Sequence, residues 1–140
     1  MSTPLRVYIV EDSPVIQDLL ASALAANGAE AIGCSADPQE AIADVFELQP
    51  DVIVIDIGLP FGSGFDVLRT LKEHSLVPHA IKVVLTNHAN AECAAFSARL
   101  GADRFFDKTW EMPQALAFIA AAAHVRRKNG AEADLASAPS

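Results

Sequence analysis

Glu11 and Asp12 follow the run Leu5-Arg6-Val7-Tyr8-Ile9-Val10. Asp56 closes Asp51-Val52-Ile53-Val54-Ile55, and Lys108 closes Asp103-Arg104-Phe105-Phe106-Asp107. Mostly apolar runs of this length read as strands, and if they lie parallel in one sheet, all four groups meet at its carboxyl edge. Open α/β sheets bind their ligands at that edge. Three carboxylates and one ammonium sum to −2. One Mg²⁺ brings that sum to zero, and an all-oxygen set is what such a hard cation prefers. The pattern therefore points to a bound divalent cation beside one reactive carboxylate.

The elements that must position these groups alternate in type. Residues 5–10 read as a strand, after which Ser13 caps a helix that has Pro14 at its first position. Val15, Ile16, Leu19, Leu20, Ala23 and Leu24 repeat at helical spacing, and Asn27-Gly28 ends that helix. Residues 30–34 form a second strand. Asp37-Pro38-Gln39-Glu40 opens a second helix in capping-box fashion, with Ala41, Ile42, Val45, Phe46 and Leu48 as its buried stripe. Residues 51–56 are apolar on both faces, as a central parallel strand requires. A loop with Pro60, Gly62 and Gly64 leads to a helix over Phe65–His74. Strand Ile81–Leu85, a helix over 90–99, a strand over 103–107 and a last helix reaching about Arg127 complete the series. Cys34, Cys93, Phe106 and Trp110 are expected in the core or as helix anchors. Arg126-Arg127-Lys128 is expected as charge at a helix end.

Strict alternation of strand and helix with right-handed crossovers leaves few topologies. The fold class expected is α/β, a doubly wound five-stranded parallel sheet of order 2-1-3-4-5 with five flanking helices. That order sets the first and third strands side by side, so Glu11, Asp12 and Asp56 share one crevice. Residues 1–127 are expected as one domain and 128–140 as a disordered tail.

Composition narrows the classes of function. Lys and Arg total 10 against 18 Asp and Glu, a net charge of −8. That balance argues against nucleic acid or an anionic membrane as a direct partner, since both need a basic footprint. No apolar run is long enough to span a bilayer, and Met1-Ser2-Thr3-Pro4-Leu5-Arg6 shows no cationic start leading into an apolar stretch, so secretion is not expected. A cytoplasmic protein is expected. The histidines and cysteines lack zinc-ligand spacing.

Taken together and in order, the acidic pair after strand one, Asp56 after strand three, Thr86 after strand four and Lys108 after strand five carry a resemblance. So does Asp56-Ile57-Gly58-Leu59-Pro60-Phe61-Gly62-Ser63-Gly64. Over residues 5–127 the chain resembles the receiver domain of two-component response regulators, in the stand-alone, chemotaxis-regulator-like form with a flavodoxin-like fold. The resemblance implies that Asp56 takes a phosphoryl group from a phosphohistidine on a sensor histidine kinase or phosphotransfer protein. It implies Mg²⁺ held by Glu11, Asp12, Asp56 and the Gly58 carbonyl, with Lys108 pairing a phosphoryl oxygen. Thr86 would bond another oxygen and, with Phe105, form the switch that an as yet unnamed downstream protein reads. On this reading the chain is not an enzyme but a self-phosphorylating switch, for which slow autodephosphorylation stays open.

Three positions depart from the commonest family pattern. Asn87 stands where a small residue is usual, Thr109 where proline with a cis bond is usual, and Phe105 where tyrosine is common. A cis bond before a non-proline residue costs about 2.5–4 kcal/mol, so a trans Lys108–Thr109 peptide with a rearranged loop is expected. The competing readings are a phosphorylation-independent docking module, a phosphate sink, and an aspartyl phosphatase of the haloacid dehalogenase type. The last needs a second Asp two residues after the nucleophile, where this chain has Gly58. Flavodoxin-type FMN binding fails for a similar reason, because Glu11-Asp12 would repel the phosphate.

Overall fold

The computed structural model describes residues 3–137. Strands β1 (Leu5–Val10), β2 (Ala29–Ser35), β3 (Val52–Ile55), β4 (Ile81–Thr86) and β5 (Arg104–Asp107) alternate with five helices. The helices are α1 (Pro14–Ala25), α2 (Pro38–Leu48), α3 (Gly64–Glu73), α4 (Ala91–Arg99) and α5 (Met112–Ser137). The strands form one parallel sheet of order β2-β1-β3-β4-β5, the expected fold class and order.

Alternation along each strand feeds two separate cores. Val7 and Ile9 face Leu20 and Leu24 of α1 and Ala115, Ile119 and Ala123 of α5. Tyr8 and Val10 face Ala41 and Val45 of α2 and Val67, Leu68 and Leu71 of α3. The central strand β3 is buried along its whole length, which is why its sequence shows no polar face.

Local chemistry sets the helix starts. The Ser13 side chain accepts from the Ile16 N–H, and Pro14 opens α1. Asp37 caps α2 by accepting from Gln39 N–H at 3.0 Å. Glu40 does not close the expected box there, because the Asp37 N–H is taken by the Ser35 hydroxyl at 3.0 Å. The capping box lies instead on α3, between Ser63 and Asp66. Gly28 ends the α1 turn with a positive φ of 78°.

Several expectations about burial need correction. Val15, Leu19 and Phe46 are 72%, 50% and 60% exposed. A helix lying on a sheet buries only one stripe, and on α1 that stripe is Ile16, Leu20 and Leu24. Cys34 is exposed and Cys93 half-buried; Cys34 lies on the edge strand β2, which has a neighbour on one side only. Trp110 is 79% exposed, whereas Phe106 is buried against Phe118 as expected. The last helix does not end near Arg127 but continues to Ser137. The segment Ala131-Glu132-Ala133-Asp134-Leu135-Ala136 is dominated by good helix formers, which outweigh Asn129-Gly130. The final three residues of the expected tail lie outside the described residues. Arg126 is thus inside the helix, where its guanidinium pairs with Asp51 at 2.6 Å and ties α5 to the start of β3.

One close approach shapes the loop after β3. A Cβ added to Gly64 would lie 2.2 Å from the Asp56 carbonyl oxygen and 2.8 Å from Ile55 Cγ2. The Gly64 N–H also donates to the Ile57 carbonyl at 3.0 Å. Gly64→Ala must push α3 away from the end of β3, at a cost of about 1–3 kcal/mol typical of overpacking. Urea denaturation of the variant checks this; an unchanged midpoint would contradict the close packing.

Candidate functional site

The carboxyl edge gathers the residues that the sequence singled out. Val10 pairs with Ile55 in the β1–β3 ladder, and Asp56 N–H donates to the Val10 carbonyl at 2.9 Å. Glu11 N–H in turn donates to Ser35 at the end of β2. Backbone pairing alone thus fixes Glu11 and Asp56 as neighbours. Glu11 is 3% and Asp56 5% exposed, and Asp12 is exposed beside them.

From the other side, the Lys108 ammonium reaches both buried carboxylates, at 2.7 Å from Glu11 Oε2 and 2.7 Å from Asp56 Oδ2. The remaining oxygens accept from main-chain N–H groups: Glu11 Oε1 from Ser13 at 3.1 Å and Asp56 Oδ1 from Gly58 at 3.2 Å. Burial pulls the Lys108 pKa down, but the bonds to Asp56 and Glu11 more than reverse that, and it ends above the usual lysine value. Burial pushes Glu11 above the usual carboxylate range, partly offset by Lys108 and the Ser13 N–H. Burial thus favours the protonated form of Glu11, while the Lys108 ammonium and the Ser13 N–H favour the carboxylate.

Thr86 ends β4, fully buried, with its hydroxyl oxygen accepting from the His88 N–H at 3.1 Å. Phe105 lies opposite Val84 in the β4–β5 ladder, where Asp107 lies opposite Thr86. It is half-buried and packs with the α2–α3 core, on the same sheet face as Thr86 and one step back from the edge. Gly58 is adjacent to the cluster through its N–H. The expected site residues are brought together, with Phe105 behind rather than within the group.

One carboxylate oxygen from each of Glu11, Asp12 and Asp56 lies within 4.8 Å of the others. The set is all oxygen and holds more negative charge than Lys108 balances, so it fits a hard divalent cation rather than zinc or copper.

Other residues at the site were not legible in the same way. The His88 side chain is exposed, as a loop histidine should be, yet it lies over Gly58: a Cβ there would be 2.5 Å from His88 Nε2. Only the absent side chain of Gly58 makes room for it, and no spacing rule announces such a contact. Gln17 Nε2 donates to the Glu11 carbonyl at 2.6 Å, steadying the acidic turn from α1. The loop after Lys108 is pinned by Asp107, whose Oδ1 accepts from the N–H groups of Thr109 at 2.8 Å and Trp110 at 3.3 Å. Glu111 Oε1 accepts from the Asp107 N–H at 2.9 Å. The Lys108–Thr109 peptide is trans, as expected, with no cis bond among the described residues.

Replacing Lys108 by Met leaves two buried carboxylates facing each other without a cation. Removing one partner of a buried ion pair costs roughly 3–5 kcal/mol, so Lys108→Met is expected to lower the melting temperature. Millimolar MgCl₂ should restore more of the loss than it adds to the unmodified chain. Thermal denaturation with and without the salt measures both, and equal increments in the two proteins would contradict the electrostatic account.

Comparison with known proteins agrees with this geometry. The family model "Response regulator receiver domain" matches residues 7–120. The chain is 33% identical over 109 residues to protein-glutamate methylesterase/protein-glutamine glutaminase 2 of Vibrio vulnificus, covering 77% of this chain and 31% of that protein. It is 34% identical over 116 residues to protein-glutamate methylesterase/protein-glutamine glutaminase 5 of Myxococcus xanthus, covering 82% and 32%. It thus spans about a third of the length of these curated relatives. Among solved structures, a CheY-like response regulator receiver domain protein of Methanospirillum hungatei superposes with a TM-score of 0.76 at 25% identity, over 91% of this chain and 99% of that one. Strand order, carboxyl-edge cluster and family match coincide on the same residues, and the chain belongs to the response regulator receiver domain family of two-component systems.

Proposed function

We propose that Asp56 accepts a phosphoryl group from a phosphohistidine donor in a Mg²⁺-dependent reaction, and that the resulting acyl phosphate switches protein–protein contacts. The observation that carries this reading is the buried Asp56 carboxylate, held 2.7 Å from the Lys108 ammonium beside two further acidic groups. A carboxylate is a weak nucleophile, so rate must come from position and charge neutralisation. An Asp56 oxygen attacks phosphorus, and the bond from phosphorus to the donor imidazole breaks. The imidazole nitrogen keeps the electron pair. Mg²⁺ held by Glu11, Asp12, Asp56 and the Gly58 carbonyl would supply neutralisation of charge on the transferred oxygens. Lys108 exchanges its contact with Asp56 for one with a phosphoryl oxygen, and the Thr86 hydroxyl turns to donate to another.

The switch follows from charge. A carboxylate of −1 becomes an acyl phosphate of about −2 with new acceptor oxygens. Drawing Thr86 towards them vacates space on its sheet face, which Phe105 one step back can fill. Phosphorylation thereby biases two arrangements of the same fold.

The donor surface follows from exposure. Val15 and Leu19 on α1, Phe61 in the loop after β3 and Trp110 after β5 are exposed apolar residues on elements that start or end at the carboxyl edge. They suit docking of a histidine kinase or phosphotransfer protein, and a downstream protein then reads the altered face. This reading places the chain in the cytoplasm; among the described residues no helix is long and apolar enough to cross a membrane. The intact acidic pair, Asp56, Thr86 and Lys108 favour a phosphoacceptor over a phosphorylation-independent docking module.

With Mg²⁺ and acetyl phosphate, the purified chain is expected to gain one phosphoryl group by intact-mass measurement, Asp56→Asn none, and the chain with excess EDTA none. Equal labelling of Asp56→Asn would remove Asp56 from the reaction.

A further inference from the structure

Two of the three side chains that depart from the family pattern, Asn87 and Thr109, touch each other. The Thr109 hydroxyl donates to Asn87 Oδ1 at 3.0 Å, across 22 positions of sequence. Asn87 immediately follows Thr86, and Thr109 immediately follows Lys108. The last ladder pair between β4 and β5 is Thr86 with Asp107. Beyond it, one main-chain bond runs from Lys108 N–H to the Thr86 carbonyl at 2.9 Å. The Thr109–Asn87 bond is a further rung outside that one. Its donor is preset, because Asp107 fixes the Thr109 N–H at 2.8 Å and so orients the residue.

We propose that Asn87 and Thr109 form a positioning pair: their hydrogen bond fixes the spacing between the Thr86 hydroxyl and the Lys108 ammonium, the two groups that must receive phosphoryl oxygens together. The inference rests on the reading of Asp56 as phosphoacceptor and adds to it a pair of residues outside the set assigned above to metal and phosphoryl oxygens. An exposed neutral hydrogen bond adds little to overall stability. Its effect lies in geometry, where small misplacement of catalytic groups costs rate steeply. The bond also makes the ends of β4 and β5 move as one, so displacement of Thr86 and of Lys108 is concerted.

A double-mutant cycle with Thr109→Val and Asn87→Ala tests the pair. Thr109→Val keeps the shape and removes the hydroxyl. Each single variant is expected to slow Asp56 labelling by acetyl phosphate and Mg²⁺ about fivefold, the worth of one hydrogen bond. The double variant should be no slower than either single one, and Thr109→Ser should restore the rate. In parallel, amide hydrogen exchange at Lys108 needs no phosphoryl chemistry. It should rise about fivefold in both single variants and fall back in Thr109→Ser, while exchange at Val84 stays constant. Thr109→Val with unchanged labelling and unchanged Lys108 exchange overturns the proposal, as do single effects that simply multiply. If the unmodified chain is not labelled at all, the phosphoacceptor reading falls, and Lys108 exchange still decides whether the pair holds the two strand ends together.

Discussion

The buried ammonium of Lys108 between Glu11 and Asp56 is the contact on which the site depends. Two carboxylates this close and this shielded repel each other in a medium that screens poorly. The Lys108 ammonium offsets that repulsion, and burial still leaves the Glu11 pKa above the usual carboxylate range. The three groups come from positions 11, 56 and 108, so the site exists only when the sheet has closed its ladders in the right order. Because Lys108 satisfies only part of the negative charge, the crevice keeps an excess of carboxylate oxygens, the charge and donor set that suit a second, hard cation.

Much of this was legible in sequence because parallel strands announce themselves. Val52–Ile55, buried on both faces, could hardly be anything but a central strand, and right-handed crossovers turned that element list into one order. Chemistry at strand ends then followed from topology. What stayed hidden were facts that depend on how far a helix is rotated about its axis. Val15 and Ile16 look alike in a periodicity argument, yet one faces solvent and the other the sheet. Asp37 and Glu40 have the spacing of a capping box, but Ser35 supplied a better partner for the Asp37 N–H. The length of α5 was obscured by Asn129-Gly130, a local stop signal overruled by the residues around it.

Contacts across sequence were the second blind spot. The His88 side chain over Gly58 and the Thr109–Asn87 bond join loops that meet only after folding. The departures from the family pattern were visible as isolated substitutions. Only in three dimensions do two of them become one interaction, built on the trans peptide that Asp107 and Glu111 pin in place.

The aromatic inventory has an optical consequence. The chain has one tryptophan and one tyrosine. Tyr8 is fully buried, its ring fitted against Gly33 and its hydroxyl donating to Asp44 at 2.6 Å; burial and Asp44 hold its pKa far above the usual phenol value. Trp110, by contrast, projects into water two positions after Lys108. Indole emission from this molecule therefore originates at a single address, on the very segment that carries the ammonium. The protein has a built-in spectroscopic probe there, free of background from any other indole and requiring no added dye.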